Sequence, residues 1–211
     1  MPTLIPFIPQ ENFEILPENA LKLKVANNNW KGQFPYSPIV NSALWHNGNT
    51  LFINFEVEED YVAALTQKDN DDVYKDSCVE FFISFDEEGY YNVEANCTGK
   101  ILMSHRRGRK IDVEYANPEI LSKIAREASL GTEPFECRTT DGKWYLTLAI
   151  PATSFFKHDF KNFNGLEAKC NIYKCGDNLP KPHFLSWKPI NTENPDFHRP
   201  EFFGSILFAE S

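Results

Sequence analysis

No run of apolar residues in this chain approaches the ~20 needed to cross a bilayer as a helix. No CxxC pair occurs, nor a GxGxxG or P-loop phosphate cradle, nor a GxSxG nucleophile elbow. These absences argue against a helical membrane protein, a nucleotide-binding fold and a serine hydrolase. The start, MPTLIPFIPQENFE, has no basic region and is broken by three prolines, which argues against a secretory leader. Positive charge is also short: 21 Lys and Arg stand against 30 Asp and Glu, for a net charge of −9. Nucleic acid and anionic lipid are therefore poor partners, because phosphate binding draws on surplus cations.

Five cysteines are present, an odd number, each inside an apparent strand. They read as reduced thiols acting as small hydrophobes, with no metal-ligand spacing. Reduced thiols suggest a cytoplasmic protein, or a periplasmic or extracellular one if the natural chain is longer at its start. The one basic cluster, HRRGRK at 105–110, reads either as a solvated loop or as donors to a polar ligand, with Arg107 at its centre.

Hydrophobic residues are plentiful at 42%, and aromatics reach 14%, with 18 Phe. A chain of 211 residues can bury roughly 70% of its unfolded surface. Strand patterns dominate it. LKLKVA (21–26) alternates. SALWHNGNTLFINFEV (42–57) holds Asn47-Gly48 between two runs, as a type I′ hairpin requires. After it, Leu51, Ile53, Phe55 and Val57 share a face. Trp144, Leu146, Leu148 and Ile150 turn inward along 144–151, and strands are expected over 168–174 and 204–210. Asn117-Pro118 caps a short helix, although Ile124, Arg126 and Ala128 alternate as a strand would. The expectation is a single all-β domain over residues 1–211: an antiparallel two-sheet sandwich with at most one short helix.

The clearest stretch is YKDSCVEFFISFDEEGYYNVEANCTGK (74–100). Val79, Phe81 and Ile83 form one face and Cys78, Glu80 and Phe82 the other; Tyr91, Val93 and Ala95 oppose Tyr90, Asn92, Glu94 and Asn96. A three-residue loop, Glu87-Glu88-Gly89, with Gly89 left-handed, would pair Phe81 with Ala95 and Glu80 with Asn96. Glu80 and Glu94 then sit diagonally on an exposed face, where both stay ionised. Their spacing fits a glycosidase, but an open face supplies no raised pKa.

QKDNDD (67–72) is acidic enough for calcium but lacks an EF-hand spacing. A haem site would have to join Met103 to His183 or His198; Met103 reads better as core. A protein-interaction surface on the same fold is a further alternative. A saccharide, with its apolar ring faces and rims of hydroxyls, matches aromatic platforms beside Asn, Glu and Arg. Tyr74, Phe82, Tyr90 and Asn92 belong to one such face, and HFLSWKPINTENPDFHRPEFFG (183–204) is irregular and aromatic, with Trp187 flanked by polar residues.

VYKDSCVEFFISFDEEGYYNVEANCTGKIL, GKWYLTLAIP, NIYKCGD and HFLSWKPI…PDFHRPEFFGSILF together resemble the family 9-like carbohydrate-binding modules of the DOMON-like sandwich group. The resemblance spans nearly the whole chain. It implies a sandwich that binds sugars without cleaving them, a glucose-type ring clamped between two aromatics, and polar side chains on its hydroxyls. On this chain it implies Tyr74 as the first aromatic, Trp187 or Phe197 as the second, and Glu80, Asn92, Glu94 and Asn96 as polar contacts. It also implies calcium in many members; no ligand set here identifies one. No Trp lies between 46 and 143, so the first clamp is a Tyr where better-known members have Trp.

Overall fold

The computed structural model describes residues 1–10, 12–140 and 142–211. Among these residues fifteen strands form: β1 (Thr3–Ile5), β2 (Leu21–Lys24), β3 (Ile39–His46), β4 (Thr50–Glu58), β5 (Tyr61–Ala64), β6 (Cys78–Ser84), β7 (Tyr90–Asn96), β8 (Ile101–Arg106) and β9 (Glu114–Tyr115) come first. After helix α1 (Pro118–Lys123) follow β10 (Ala125–Ala128), β11 (Phe135–Thr139), β12 (Lys143–Pro151), β13 (Glu167–Cys175), β14 (Phe184–Ser186) and β15 (Gly204–Phe208). One sheet runs β1-β15-β13-β6-β7-β8-β9, with β14 also on β13; the second runs β10-β12-β4-β3-β2; a small third ladder pairs β11 with β5. Pairing is antiparallel except where β1 joins β15. The all-β sandwich read from the sequence is the fold observed.

The inner faces meet in one core. Leu51, Ile53, Phe55 and Val57 of β4 and Trp144, Leu146, Leu148 and Ile150 of β12 face Val79, Phe81 and Ile83 of β6 and Tyr91, Val93 and Ala95 of β7. Each buried aliphatic or aromatic side chain contributes about 1.5–3 kcal/mol, so the alternation that defines these strands also holds the sheets together. The sheets share a polar tie as well. Lys174 Nζ, from β13, lies 2.9 Å from Glu59 beside β4, with both side chains fully buried. The Trp144 indole donates to the same carboxylate at 2.8 Å, and Lys174 also reaches His183 Nε2 at 2.9 Å.

At 117–128 both readings hold in succession. Asn117 Oδ1 accepts from the Ile120 N–H and caps α1, and β10 begins two residues after the helix ends. The turn after β3 is displaced by one residue: Asn47 N bonds Thr50 O, so Gly48-Asn49 is its centre, with Gly48 at φ 94°.

The β6–β7 register differs from expectation by two residues. Glu80 pairs with Glu94, Phe81 with Val93 and Cys78 with Asn96. A slip of two preserves every side chain's face, so the core is as expected while the cross-strand neighbours change. Gly89 has the positive φ expected of it, at 157°, although well beyond the left-handed helical value of about 57°. Its small size is needed because a Cβ there would meet the Arg106 carbonyl at 2.6 Å.

The outer face of β6 and β7 is covered rather than open. Trp30, Phe184, Phe197 and Phe203 fold over Cys78, Phe82, Tyr90 and Tyr173 as a second apolar cluster. Beyond β14, residues 190–203 therefore lie over part of the sheet's outer surface as a third layer.

Candidate functional site

Four strands supply the floor of a cleft beside that layer. The outward row Tyr173, Glu80, Glu94, Leu102 crosses β13, β6, β7 and β8, and the row Asn171, Phe82, Asn92, Ser104 lies next to it. The cleft holds about 530 Å³. Glu80 and Glu94 lie at its base, Arg106, Arg109 and Asp177 at its sides, and Tyr74, Phe184, Phe197 and His198 around it. Tyr74 comes from a single 3-10 turn before β6.

Phe197 is held flat. Its ring stacks on Tyr173 at 4.2 Å between centroids and 8° between planes, and the Tyr173 hydroxyl donates to the Phe197 carbonyl at 3.2 Å. His198 is held by the Tyr90 hydroxyl at its Nδ1, 3.0 Å away.

A relay of hydrogen bonds sets Glu94. The Arg106 guanidinium donates to Ser104 Oγ at 2.9 and 2.6 Å, Ser104 Oγ donates to Asn92 Oδ1 at 2.5 Å, and Asn92 Nδ2 donates to Glu94 Oε1 at 2.8 Å. Among the described residues, Glu80 accepts from the Cys175 thiol alone, at 3.1 Å. Both glutamates are all but sealed, at 4% and 5% exposure. Burial raises the Glu94 pKa to about 7. Burial, reinforced by the Glu94 charge, pushes Glu80 well above the usual carboxylate range. Burial likewise lifts Asp177 to about 6, and it lowers His198 to about 3 with help from Arg106 and Arg109. The expectation that both glutamates stay ionised on an open face is thus corrected: the covering layer removes the water that would stabilise their charge.

The expected site residues separate into groups. Tyr74, Glu80, Glu94 and Phe197 line the cleft. Asn92 is wholly buried and acts on Glu94 from beneath. Asn96 is buried too; its amide donates to Asp76 and its carbonyl accepts from the backbone of Thr98 and Lys100, so it closes the β7–β8 turn. Trp187 turns away: it packs on the main core, with Lys188 Nζ 4.1 Å from its ring centroid. Arg107 pairs with Glu88 at the β6–β7 loop, outside the cleft. Alternation along β8 explains the last result, since Arg106 points outward to the cleft and its neighbour cannot. Asp177 and Phe184 escaped the sequence reading, because loops and non-local pairing bring them in; of the HRRGRK cluster, Arg106, Arg109 and Lys110 rather than Arg107 reach the cleft, and His198 lies there as well.

The acids at 67–72 do not fit calcium. Asp69 is clasped by both Arg126 nitrogens at 2.6 and 2.9 Å, and Asp72 pairs with Lys75 at 2.7 Å. Asp76, just beyond, accepts from the Leu65 and Thr66 N–H groups. Among the described residues these acids do not converge as a set of metal ligands. Neither haem pairing is favoured: Met103 faces the core between the sheets whereas His198 lies on the outer side, and both ring nitrogens of His183 are already engaged, by Lys174 Nζ and the Lys181 carbonyl, each at 2.9 Å.

A larger hollow of about 640 Å³ lies on the outer face of the second sheet, beside Asn41, Asn54, Glu56, Tyr145 and Thr147. Its polar groups satisfy one another: Lys143 pairs with Glu56 at 2.8 Å and Asn54 donates to Thr147 at 2.9 Å. The smaller cleft is the stronger candidate, because its buried carboxyls stand beside guanidinium donors and aromatic walls.

A covered sandwich with a polar, aromatic-walled cleft is the architecture of a ligand-binding module. The profile of Carbohydrate-binding family 9 matches residues 11–208, and the chain belongs to that family. A candidate carbohydrate-binding protein from Bacteroides uniformis is similar at 35% identity and TM-score 0.89, over 99% of this chain and 100% of that one. A family 9 module from Caldicellulosiruptor kristjanssonii, solved with glucose, shares the fold at 15% identity and TM-score 0.62, over 100% and 97% of the two chains. With cellotriose, a family 9 module from that organism gives 11% and 0.58, over 100% and 95%. No curated protein matches the chain. Among the described residues, no helix is long and apolar enough to cross a membrane.

Proposed function

We propose that the protein is a non-catalytic saccharide-binding module whose ligand occupies the cleft over β6, β7 and β8. A glucose-type ring is the first candidate, given the ligands named for the family 9 structures. The observation that carries the reading is the pairing of flat rings with buried charged groups in one cleft. Tyr74, Phe184 and Phe197 offer apolar faces, while Glu80, Glu94, Arg106 and Arg109 offer hydroxyl partners of both kinds.

A glycosidase reading is the weaker one. Its two carboxyls flank the scissile bond, one serving the leaving oxygen and the other the opposite side of the sugar. Glu80 and Glu94 stand side by side on one floor, so a ring resting there meets both from the same side. Burial also raises both pKa values, whereas hydrolysis needs one group raised and its partner kept ionised.

Isothermal titration with glucose, cellotriose and a panel of other sugars tests the proposal. Exothermic binding that weakens in Phe197→Ala supports it. Silence across the panel overturns it, as does hydrolysis of aryl glycosides that Glu80→Gln abolishes.

A further inference from the structure

We propose that Cys78, Cys175 and Glu80 form a binding site for a zinc-class divalent cation at the inner end of the cleft. Among the described residues, they are the one group of His, Cys, Asp and Glu side chains whose ligand atoms converge, with both sulfurs and a carboxylate oxygen within 4.8 Å of one another. Strand pairing builds the cluster. Cys78 of β6 stands directly opposite Cys175 of β13, and Glu80 follows two residues along on the same face. All three side chains are buried: Cys78 at 0%, Cys175 at 1% and Glu80 at 4% exposure.

Packing alone accounts for two small thiols beneath an aromatic layer. It does not account for a glutamate between them and the cleft. Among the described residues no ion pair reaches Glu80; its carboxyl meets the Cys175 thiol at 3.1 Å, which leaves acceptor capacity aimed at the sulfurs. A divalent ion bound there would take the place of the carboxyl and thiol protons.

The donor set selects the ion. Two sulfurs and one oxygen match tetrahedral zinc with three protein ligands and one open position. Calcium and magnesium favour shells made of oxygen, and sulfur ligands discriminate against them. Cys175 and Glu80 both line the cleft, so the open position faces the space assigned to the ligand. Loading is an exchange of ions without redox change: one cation enters, both thiols bind as thiolates and Glu80 as a carboxylate, and the protons all three give up go to solvent. The site does not depend on the saccharide reading.

The test uses the full chain, reduced and stripped with chelator, titrated first with Co²⁺ and then with Zn²⁺. One equivalent of cobalt should produce near-ultraviolet thiolate-to-cobalt charge transfer and the intense visible bands of tetrahedral cobalt; one equivalent of zinc should erase both. Cys78→Ser and Cys175→Ser should each lose much of the charge-transfer intensity and weaken binding by about tenfold or more. Cys137→Ser, on an exposed thiol, should change neither. Glu80→Gln preserves shape and both sulfurs, so it keeps the folding question apart: charge transfer persists while affinity falls by about tenfold. The proposal is overturned by weak octahedral-type spectra without sulfur bands, by unchanged binding in Cys175→Ser, or by a Cys78–Cys175 disulfide that persists under reductant. Sugar titration of metal-free protein is read separately, so failure of one proposal is distinct from failure of the other.

Discussion

Glu80 and Glu94 face each other across adjacent antiparallel strands, and the same covering layer that hides them raises both pKa values. For Glu94 the rise is from 4.5 to about 7. A folded-state pKa above the unfolded value means the folded chain holds the extra proton between those limits. The associated stability is complete below about pH 4.5 and is lost as pH climbs through 7. Buried His46 and His198 act in the opposite sense, since burial lowers them to about 4 and about 3 and favours the folded state at higher pH. The measurement is therefore a difference. In chelator-treated protein, Glu94→Gln should gain stability relative to wild type between pH 5 and 8, read from urea midpoints. A constant difference across that range would refute the burial argument.

Phe197, not Trp187, is expected to matter for the ligand. Phe197→Ala should weaken saccharide binding by about tenfold, in the range of an aromatic contact plus lost positioning. Trp187→Ala should leave affinity within about twofold and lower stability by about 2–3 kcal/mol, because its ring packs on the core. Calorimetric titration and thermal unfolding separate the two effects.

The relay from Arg106 to Glu94 makes a third prediction. Ser104→Ala removes the hydroxyl that joins Arg106 to Asn92. Saccharide affinity should fall by about fivefold, the worth of one hydrogen bond near 1 kcal/mol. Arg107→Ala touches a surface pair with Glu88 and should leave binding unchanged. Equal losses in both variants would remove the relay from any role in the ligand's affinity.

Lys174 and Glu59 supply a fourth. Lys174→Met strands a buried carboxylate and should cost about 3–5 kcal/mol. Combining it with Glu59→Gln should recover much of that loss, because the uncompensated charge goes with it. Additive losses in the double variant would show that the two side chains act independently.

The sandwich was legible in the sequence because period-2 alternation encodes which face of a strand is greasy. Val79, Phe81 and Ile83 had no ambiguity of that kind, and even the two-residue error in the hairpin left them inward. What alternation does not encode is what lies on the other side. The outward face of β6 carries Cys78, Glu80 and Phe82, a mixture compatible with water or with a thin covering. The irregular segment 183–204 decides the matter, and no local periodicity says where such a segment lies. Glu80 and Glu94 could be read from strand alternation, and Tyr74 and Phe197 from what the family resemblance implies. Asp177 could not, since a loop path brings it to the cleft, and which arginines of HRRGRK reach it was not encoded locally either. The convergence of Cys78 and Cys175 needed β13 to be placed beside β6, a pairing between strands far apart in the chain.

That layer over the sheet also sets an order of assembly on the ribosome. Strands β6, β7 and β8 can zip together soon after they emerge, because each pairs with its sequence neighbour. Their floor remains uncovered until β13 arrives to flank Glu80 and residues 190–203 swing across it. A nascent chain halted before residue 167 would thus expose Phe82 and Tyr90 to chaperones and have no cleft to offer, so ligand recognition is acquired only late in translation.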